Sequence, residues 1–250
     1  MDPAVQFEDG QPLEARNQMG VTQAQWARTA PTKCWSCDAD TSGGHFCQAC
    51  GKIQPLPEGT DYFAFLGLPR KLTLDSVALE EQFHKLSWKL HPDNFVRASE
   101  YERNLSLERS SQLNDAYRTL ADPISRVEYL LAHLAVRKEG TTKQQAPPEL
   151  LEEVFELNES LDDLREARAR GGELAGLRER LSRAQQSFQQ RLGEANSELA
   201  VIGGQWDAAL DEHANEQQMS LLLGRMNGIL NRRSYIRNLV AGVQKELAEI

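Results

Sequence analysis

Phe83-His84-Lys85-Leu86-Ser87-Trp88-Lys89-Leu90-His91-Pro92-Asp93-Asn94-Phe95 is the stretch on which the reading of the chain turns. Leu79, Phe83, Leu86 and Leu90 recur at spacings of three and four, which predicts a helix with one buried stripe. Asp75 is placed to cap it, and Glu80 and Glu81 suit its early turns. Lys85 and Lys89 fall on its exposed face. Pro92 ends it, because proline disfavours the helical conformation in the residue before it. A basic helix therefore runs into a proline-fixed turn that carries His91 and Asp93.

On either side the pattern stays helical. Tyr62–Pro69 has room only for a short helix, stopped by Gly67 and Pro69. After the turn, a helix is predicted from about Tyr101 to Leu120, with Leu113, Ala116, Tyr117 and Leu120 inside. Asp122-Pro123 then breaks and restarts the chain, with aspartate as cap and proline in the first turn. Ile124, Val127, Leu131 and Leu134 continue the stripe. These helices make one unit over residues 58–137. A linker follows at 138–147, and a second unit spans 147–250. There Leu150, Val154, Leu157, Leu161 and Leu164 form one seam. Leu174, Leu177, Leu181, Ala184, Phe188 and Ala195 form the next. Leu222, Met226, Ile229, Ile236, Val240, Val243 and Leu247 form the third. With Gly171-Gly172 and Gly203-Gly204 read as turns, three amphipathic helices predict an antiparallel three-helix bundle. The expected fold is mostly α.

Upstream, Cys34-Trp35-Ser36-Cys37 and Cys47-Gln48-Ala49-Cys50 form a paired C-x-x-C arrangement within residues 31–52, and these are the only cysteines of the chain. Two such pairs give a closed tetrahedral thiolate site, which suits structural Zn2+. Free or redox-active thiols are the bland alternative and an iron–sulfur cluster a third. His45 could replace one thiolate, but four cysteines already fill the shell. Residues 1–30 lack apolar periodicity and read as a mobile arm. Ile53–Gly59, with two prolines and a glycine, reads as a linker. The cysteine module thus lies outside both helical units, and losing its metal is expected to leave the helices nearly intact.

The 250 residues carry a formal net charge of −9. Such a chain repels phosphate backbones, which argues against nucleic acid as a general partner. No apolar run approaches the roughly 20 residues of a membrane span. The N-terminal segment, with Glu8, Asp9 and Glu14, has no apolar signal core and fits a transit peptide poorly. A cytoplasmic location is expected, with the mitochondrial matrix as the alternative.

Over residues 61–129 the chain resembles the J-domain family. Tyr62 and Leu66-Gly67-Leu68 match that family's opening, and Phe83, Leu86 and Leu90 its second-helix core. His91-Pro92-Asp93 matches its signature loop, and Asn114-Asp115-Ala116-Tyr117-Arg118-Thr119-Leu120 its third helix. The resemblance implies that the loop and basic helix dock on a DnaK/HscA-type heat-shock chaperone and stimulate its ATP hydrolysis. Lys85 and Lys89 would meet an acidic surface, Asp93 would pair with a cationic group, and Pro92 would hold the loop's shape. The chain lacks a Gly/Phe-rich segment and repeated C-x-x-C-x-G-x-G modules, and a second helical unit follows directly. That layout resembles the HscB-type cochaperones of iron–sulfur cluster assembly. So do Asp61-Tyr62-Phe63, Gly67-Leu68-Pro69-Arg70, His91-Pro92-Asp93-Asn94-Phe95 and Arg126-Val127-Glu128-Tyr129-Leu130-Leu131. Asn94 stands where lysine is common, which removes one basic contact. The cysteine module resembles one carried by some members of that family.

In the first bundle helix, Leu151 and Phe155 lie four apart and about 100° off the seam, on a different face. Glu152, Glu156, Glu159 and Asp163 crowd beside them. An apolar pair ringed by acids reads as a binding patch, or else as a widened core stripe with a solvated side. The resemblance implies the former. Leu151, Glu152, Phe155, Glu156, Glu159 and Asp163, with Tyr235 on the last helix, match the positions by which HscB proteins hold an IscU-type scaffold. Glu152 stands where a hydrophobic residue is usual. Two other classes compete: a general J-protein delivering unfolded clients, and a thiol or metal enzyme built on the cysteines. No nucleophile–base–acid arrangement or phosphate-binding glycine loop supports an enzyme.

Overall fold

The computed structural model describes residues 32–249 except 42, 58, 135 and 137–146. The expected arm at 1–30 and nearly all of the expected linker at 138–147 lie outside the described residues. Helix α1 (Tyr62–Leu66) starts at Asp61, whose carboxylate accepts from the Ala64 amide, and ends at Gly67, left-handed at φ 67°. Helix α2 (Ser76–Leu90) is capped by Asp75 through the Val77 and Ala78 amides. Helix α3 (Glu100–Ala121) opens with a full capping box between Ser99 and Glu102. Helix α4 (Pro123–His133) takes Asp122 as cap and Pro123 in its first turn. Each start signal is thus a short polar side chain satisfying amides that the helix itself leaves unpaired. α2 and α3 form a hairpin around Phe63, Leu66, Leu79, Leu90, Phe95, Leu113 and Leu120, and Phe83 stacks on Tyr117 at 4.3 Å.

The cysteine segment forms a two-stranded antiparallel ribbon, β1 (Thr32–Lys33) with β2 (Asp40–Thr41), and a bridge between Phe46 and Ile53. Here the structure departs from expectation. Ile53 and Gln54 open no free linker: Ile53 is fully buried and belongs to the core under α1–α3, and Gln54 is buried as well. The bridge to Phe46 and a 2.7 Å hydrogen bond from Trp35 Nε1 to the Ile53 carbonyl hold the strand down. The prolines at 55 and 57 suit an extended path laid on a surface as well as they suit a linker, which is why composition misread them.

Helices α5 (Leu151–Arg170), α6 (Ala175–Asp211) and α7 (Glu216–Ala248) follow. Ion pairs and hydrogen bonds show their directions. Glu153–Arg191 and Asp163–Arg180 run α5 against α6. Asn196–Arg233 and Gln205–Arg225 run α6 against α7. The bundle is therefore up-down-up, around Leu157, Leu164, Leu181, Phe188, Ile236 and Val243. Gly171 makes the first turn, left-handed at φ 67°. The second expected turn is wrong. Gly203-Gly204 lies inside α6, and the chain reverses at Glu212–Asn215 instead. A Cβ at Gly203 would stand 3.4 Å from Leu72 Cβ. The glycine lets the segment between α1 and α2 press against α6, a close approach rather than a turn.

That approach joins the two helical units. Leu72, Val127, Leu130 and Leu131 share one core with Leu199, Ile202, Trp206, Leu223 and Met226. Arg126, itself buried, donates from Nε to the Leu120 carbonyl at 2.7 Å and from a terminal nitrogen to the Leu72 carbonyl at 2.5 Å. The far end of the α6–α7 hairpin thus packs on α4, while its near end packs on α5.

Candidate functional sites

The four cysteines converge as their spacing predicts. Their sulfurs all lie within 4.8 Å of one another, with Cys34–Cys50 at 3.6 Å and Cys37–Cys47 at 3.8 Å. A tetrahedron of thiolates about 2.3 Å from zinc has edges of about 3.8 Å, close to the two shortest pairs, so the donor set suits such an ion. Each pair sits on a tight turn: Asp38 N donates to the Cys34 carbonyl and Gly51 N to that of Cys47. Burial alone would raise the Cys34 pKa. Hydrogen bonds from the Ser36 and Cys37 backbones and from the neighbouring thiols bring it down to about 6, which favours a thiolate ligand. His45 is engaged elsewhere: its Nε2 meets the Phe65 carbonyl at 2.8 Å and its ring stands edge-on to Phe65. Burial lowers its pKa, so the neutral ring donates from Nε2.

The module sits on the α1–α3 unit through several contacts that composition did not reveal. Trp35 packs edge-on to Tyr101 at 4.9 Å, and Lys52 Nζ reaches Glu102 at 2.8 Å. The tryptophan between two cysteines was a readable signal for such packing. Lys52 carried none, since its partner is fifty residues away.

His91-Pro92-Asp93 stands where α2 stops. Pro92–Phe95 forms a single 3-10 turn in which the Asp93 amide donates to His91 Nδ1 at 3.3 Å. His91 and Asp93 are exposed, as are Lys85 and Lys89 within the last two turns of α2. Phe95 is buried beneath. Ser106 and Ser110 of α3 both donate to the Leu90 carbonyl, at 2.7 and 3.1 Å, tying the last turn of α2 to α3. Asn94 donates to the Trp88 carbonyl at 2.6 Å. This side-chain donor closes the end of α2. Trp88 itself is 82% exposed. The turn is thus rigid below and open above.

On α5, Leu151 is 55% and Phe155 72% exposed. Glu152, Glu156, Glu159 and Asp163 are exposed around them. Tyr235 on α7 is half-buried and packs against the α5–α7 core. The loop and this patch therefore lie on different elements, the loop at the end of α2 and the patch on the first bundle helix.

Comparison with known proteins gives the same two-part layout. A DnaJ domain model matches residues 61–129 and a model of the HSCB C-terminal oligomerisation domain matches residues 146–219. Neither range includes the cysteines. The co-chaperone protein HscB homolog of Vibrio vulnificus strain YJ016 is 36% identical over 151 residues, covering 60% of this chain and 85% of the relative. That of Aliivibrio salmonicida is 42% identical over 106 residues, covering 42% of this chain and 61% of the relative. The crystal structure of human co-chaperone protein HscB superposes with a TM-score of 0.61 at 22% identity, over 88% of this chain and all of that one, which speaks for the fold. A J-domain, the C-terminal unit behind it and this extent of identity make the chain a member of the HscB co-chaperone family.

Proposed function

We propose that the protein stimulates the ATPase of a DnaK/HscA-type chaperone and delivers to it an IscU-type scaffold during iron–sulfur cluster assembly. The observation that carries this reading is the presence of two exposed surfaces on one chain: the His91-Pro92-Asp93 turn and the Leu151–Phe155 patch. In the first, Lys85 and Lys89 approach an acidic face of the chaperone, and Asp93 pairs with a cation there. Pro92 and the Leu90 anchor hold the turn in shape, so little ordering entropy opposes binding. In the second, Leu151 and Phe155 anchor the scaffold. Glu156, Glu159 and Asp163 surround the anchors and steer a basic partner, with Tyr235 contributing from α7. Zinc is the resident metal of Cys34, Cys37, Cys47 and Cys50, in a closed site with a structural role. The protein acts through its partners and performs no bond chemistry itself. The setting is the cytoplasm, with the mitochondrial matrix as the other candidate.

A co-binding experiment tests the reading. Immobilised protein should retain a purified IscU-type scaffold and, with ATP, a DnaK-type chaperone at the same time. Failure to retain either one would sink the delivery role.

A further inference from the structure

We propose that Lys52 couples the metal-bound state of the cysteine module to the His91-Pro92-Asp93 turn, acting through Glu102. Glu102 is a buried carboxylate, 4% exposed. One oxygen, Oε2, receives three donors: Lys52 Nζ at 2.8 Å, Ser99 Oγ at 2.9 Å and the Ser99 amide at 3.3 Å. The Ser99 hydroxyl in turn accepts from the Glu102 amide at 3.3 Å. This box fixes where α3 begins, and only residues 96–99 separate α3 from the turn formed by Pro92–Phe95. The Ala98 amide donates back to the Phe95 carbonyl, and Arg103 donates to the Ala98 carbonyl. The turn and the α3 start therefore form one hydrogen-bonded run.

At the other end, Lys52 belongs to the metal knuckle. Its carbonyl accepts from the Cys47 amide at 2.9 Å, and the Cys47 carbonyl accepts from Gly51. A metal ion holding Cys47 and Cys50 fixes that knuckle, and with it the root of the Lys52 side chain. Without the ion the knuckle is free to open, and Glu102 loses the cation that compensates its burial. Two contacts beside it dock the module: His45 on Phe65 of α1, and Trp35 on Tyr101 in the first turn of α3, but neither pairs with the Glu102 carboxylate, so Lys52→Met isolates the ionic link. Lys52 is a positioning residue: it touches neither the metal nor a partner. Its effect on chaperone stimulation rests on the function proposed above; its effect on the turn does not.

The test is amide hydrogen exchange on the full chain, in zinc-loaded wild type, chelator-treated wild type, zinc-loaded Lys52→Met and zinc-loaded Lys52→Arg. Chelation should speed exchange over residues 92–102 by about tenfold or more, while residues 195–230 stay unchanged. Lys52→Met should speed the same segment by roughly threefold with zinc still bound, since a partly exposed ion pair carries a modest energy. Lys52→Arg should restore protection. Chaperone stimulation should fall in parallel, chiefly as a weaker apparent affinity with the maximal rate kept. Unchanged exchange at 92–102 in zinc-loaded Lys52→Met would overturn the coupling, whatever chelation does. If exchange responds as stated but even wild type fails to stimulate the chaperone, the coupling stands and the proposed function falls.

Discussion

Asp207 on α6 accepts hydrogen bonds of 2.7 Å from the backbone amides of both Leu72 and Thr73, in the segment that leads into α2. One carboxylate thus staples the bundle to the J-domain across 135 residues of sequence. Asp207→Ala leaves two amides without an acceptor at a site where Asp207 is only 8% exposed. A buried donor left unpaired costs about 1–3 kcal/mol, so the variant should lose about 2 kcal/mol or more. Its denaturant unfolding should separate into two transitions, since the shared core around Trp206 is then the main remaining tie. A loss under about 0.5 kcal/mol, typical of a neutral surface change, would contradict this.

The metal prediction follows from the fit of the four sulfurs. Protein purified without added metal should contain one equivalent of zinc, and Cys47→Ser should release it. Because Ile53 is part of the J-domain core, chelation should also lower the melting temperature of the J-domain. Four freely titratable thiols in the native protein, or an unchanged melting curve on chelation, would each count against it.

The predicted fall in melting temperature departs from the expectation that losing the metal leaves the helices nearly intact, because Ile53 is buried in the core under α1–α3. Helices were legible because their stripes repeat locally and two of their caps, Asp75 and Asp122, are short polar side chains at fixed offsets; the caps Asp61 and Ser99 emerged only with the structure. The cysteine site was legible because C-x-x-C is itself a local geometry. What composition could not reveal was partnership over distance. Ile53 looked like the start of a linker because its neighbours are prolines, and its burial depends on Phe63 and Leu66 beyond them. Gly203 looked like a turn because the Leu72 side chain packed against it lies 131 positions away. Asp207 and Lys52 carried no periodic signal at all.

Scaffold binding should be lost without loss of fold when the exposed apolar pair is removed. Leu151→Ala/Phe155→Ala should weaken binding at least roughly tenfold, 1.4 kcal/mol being one decade. The melting temperature should hold, because both side chains are more than half exposed. Glu156→Ala and Glu159→Ala should show smaller effects that fade with added salt. A folded double variant that binds scaffold normally would remove the patch from the account.

Acid stability should depend on Asp122. Its hydrogen bonds from Ser125, helped by the charges of Arg233 and Arg126 against the opposing effect of burial, hold its pKa below the usual value. A carboxylate with a depressed folded-state pKa stabilises the fold above its unfolded value, about 3.9, and loses that contribution as pH falls through the folded value. The stability gap between wild type and Asp122→Asn should therefore be constant above about pH 5 and shrink below about pH 4. A gap independent of pH down to about 2.5 would show that the cap acts without its charge.

The most direct test of the account is single-turnover ATP hydrolysis by a DnaK/HscA-type chaperone, with wild type, His91→Gln and Asp93→Asn compared at saturating concentration. His91 and Asp93 are exposed, and among the described residues their side chains make polar contacts within their own turn, so both variants should keep the wild-type melting temperature. Wild type should accelerate hydrolysis, more so with scaffold present, and both variants should fall to the unstimulated rate. A folded Asp93→Asn protein that stimulates hydrolysis as well as wild type would contradict the assignment of function to His91-Pro92-Asp93.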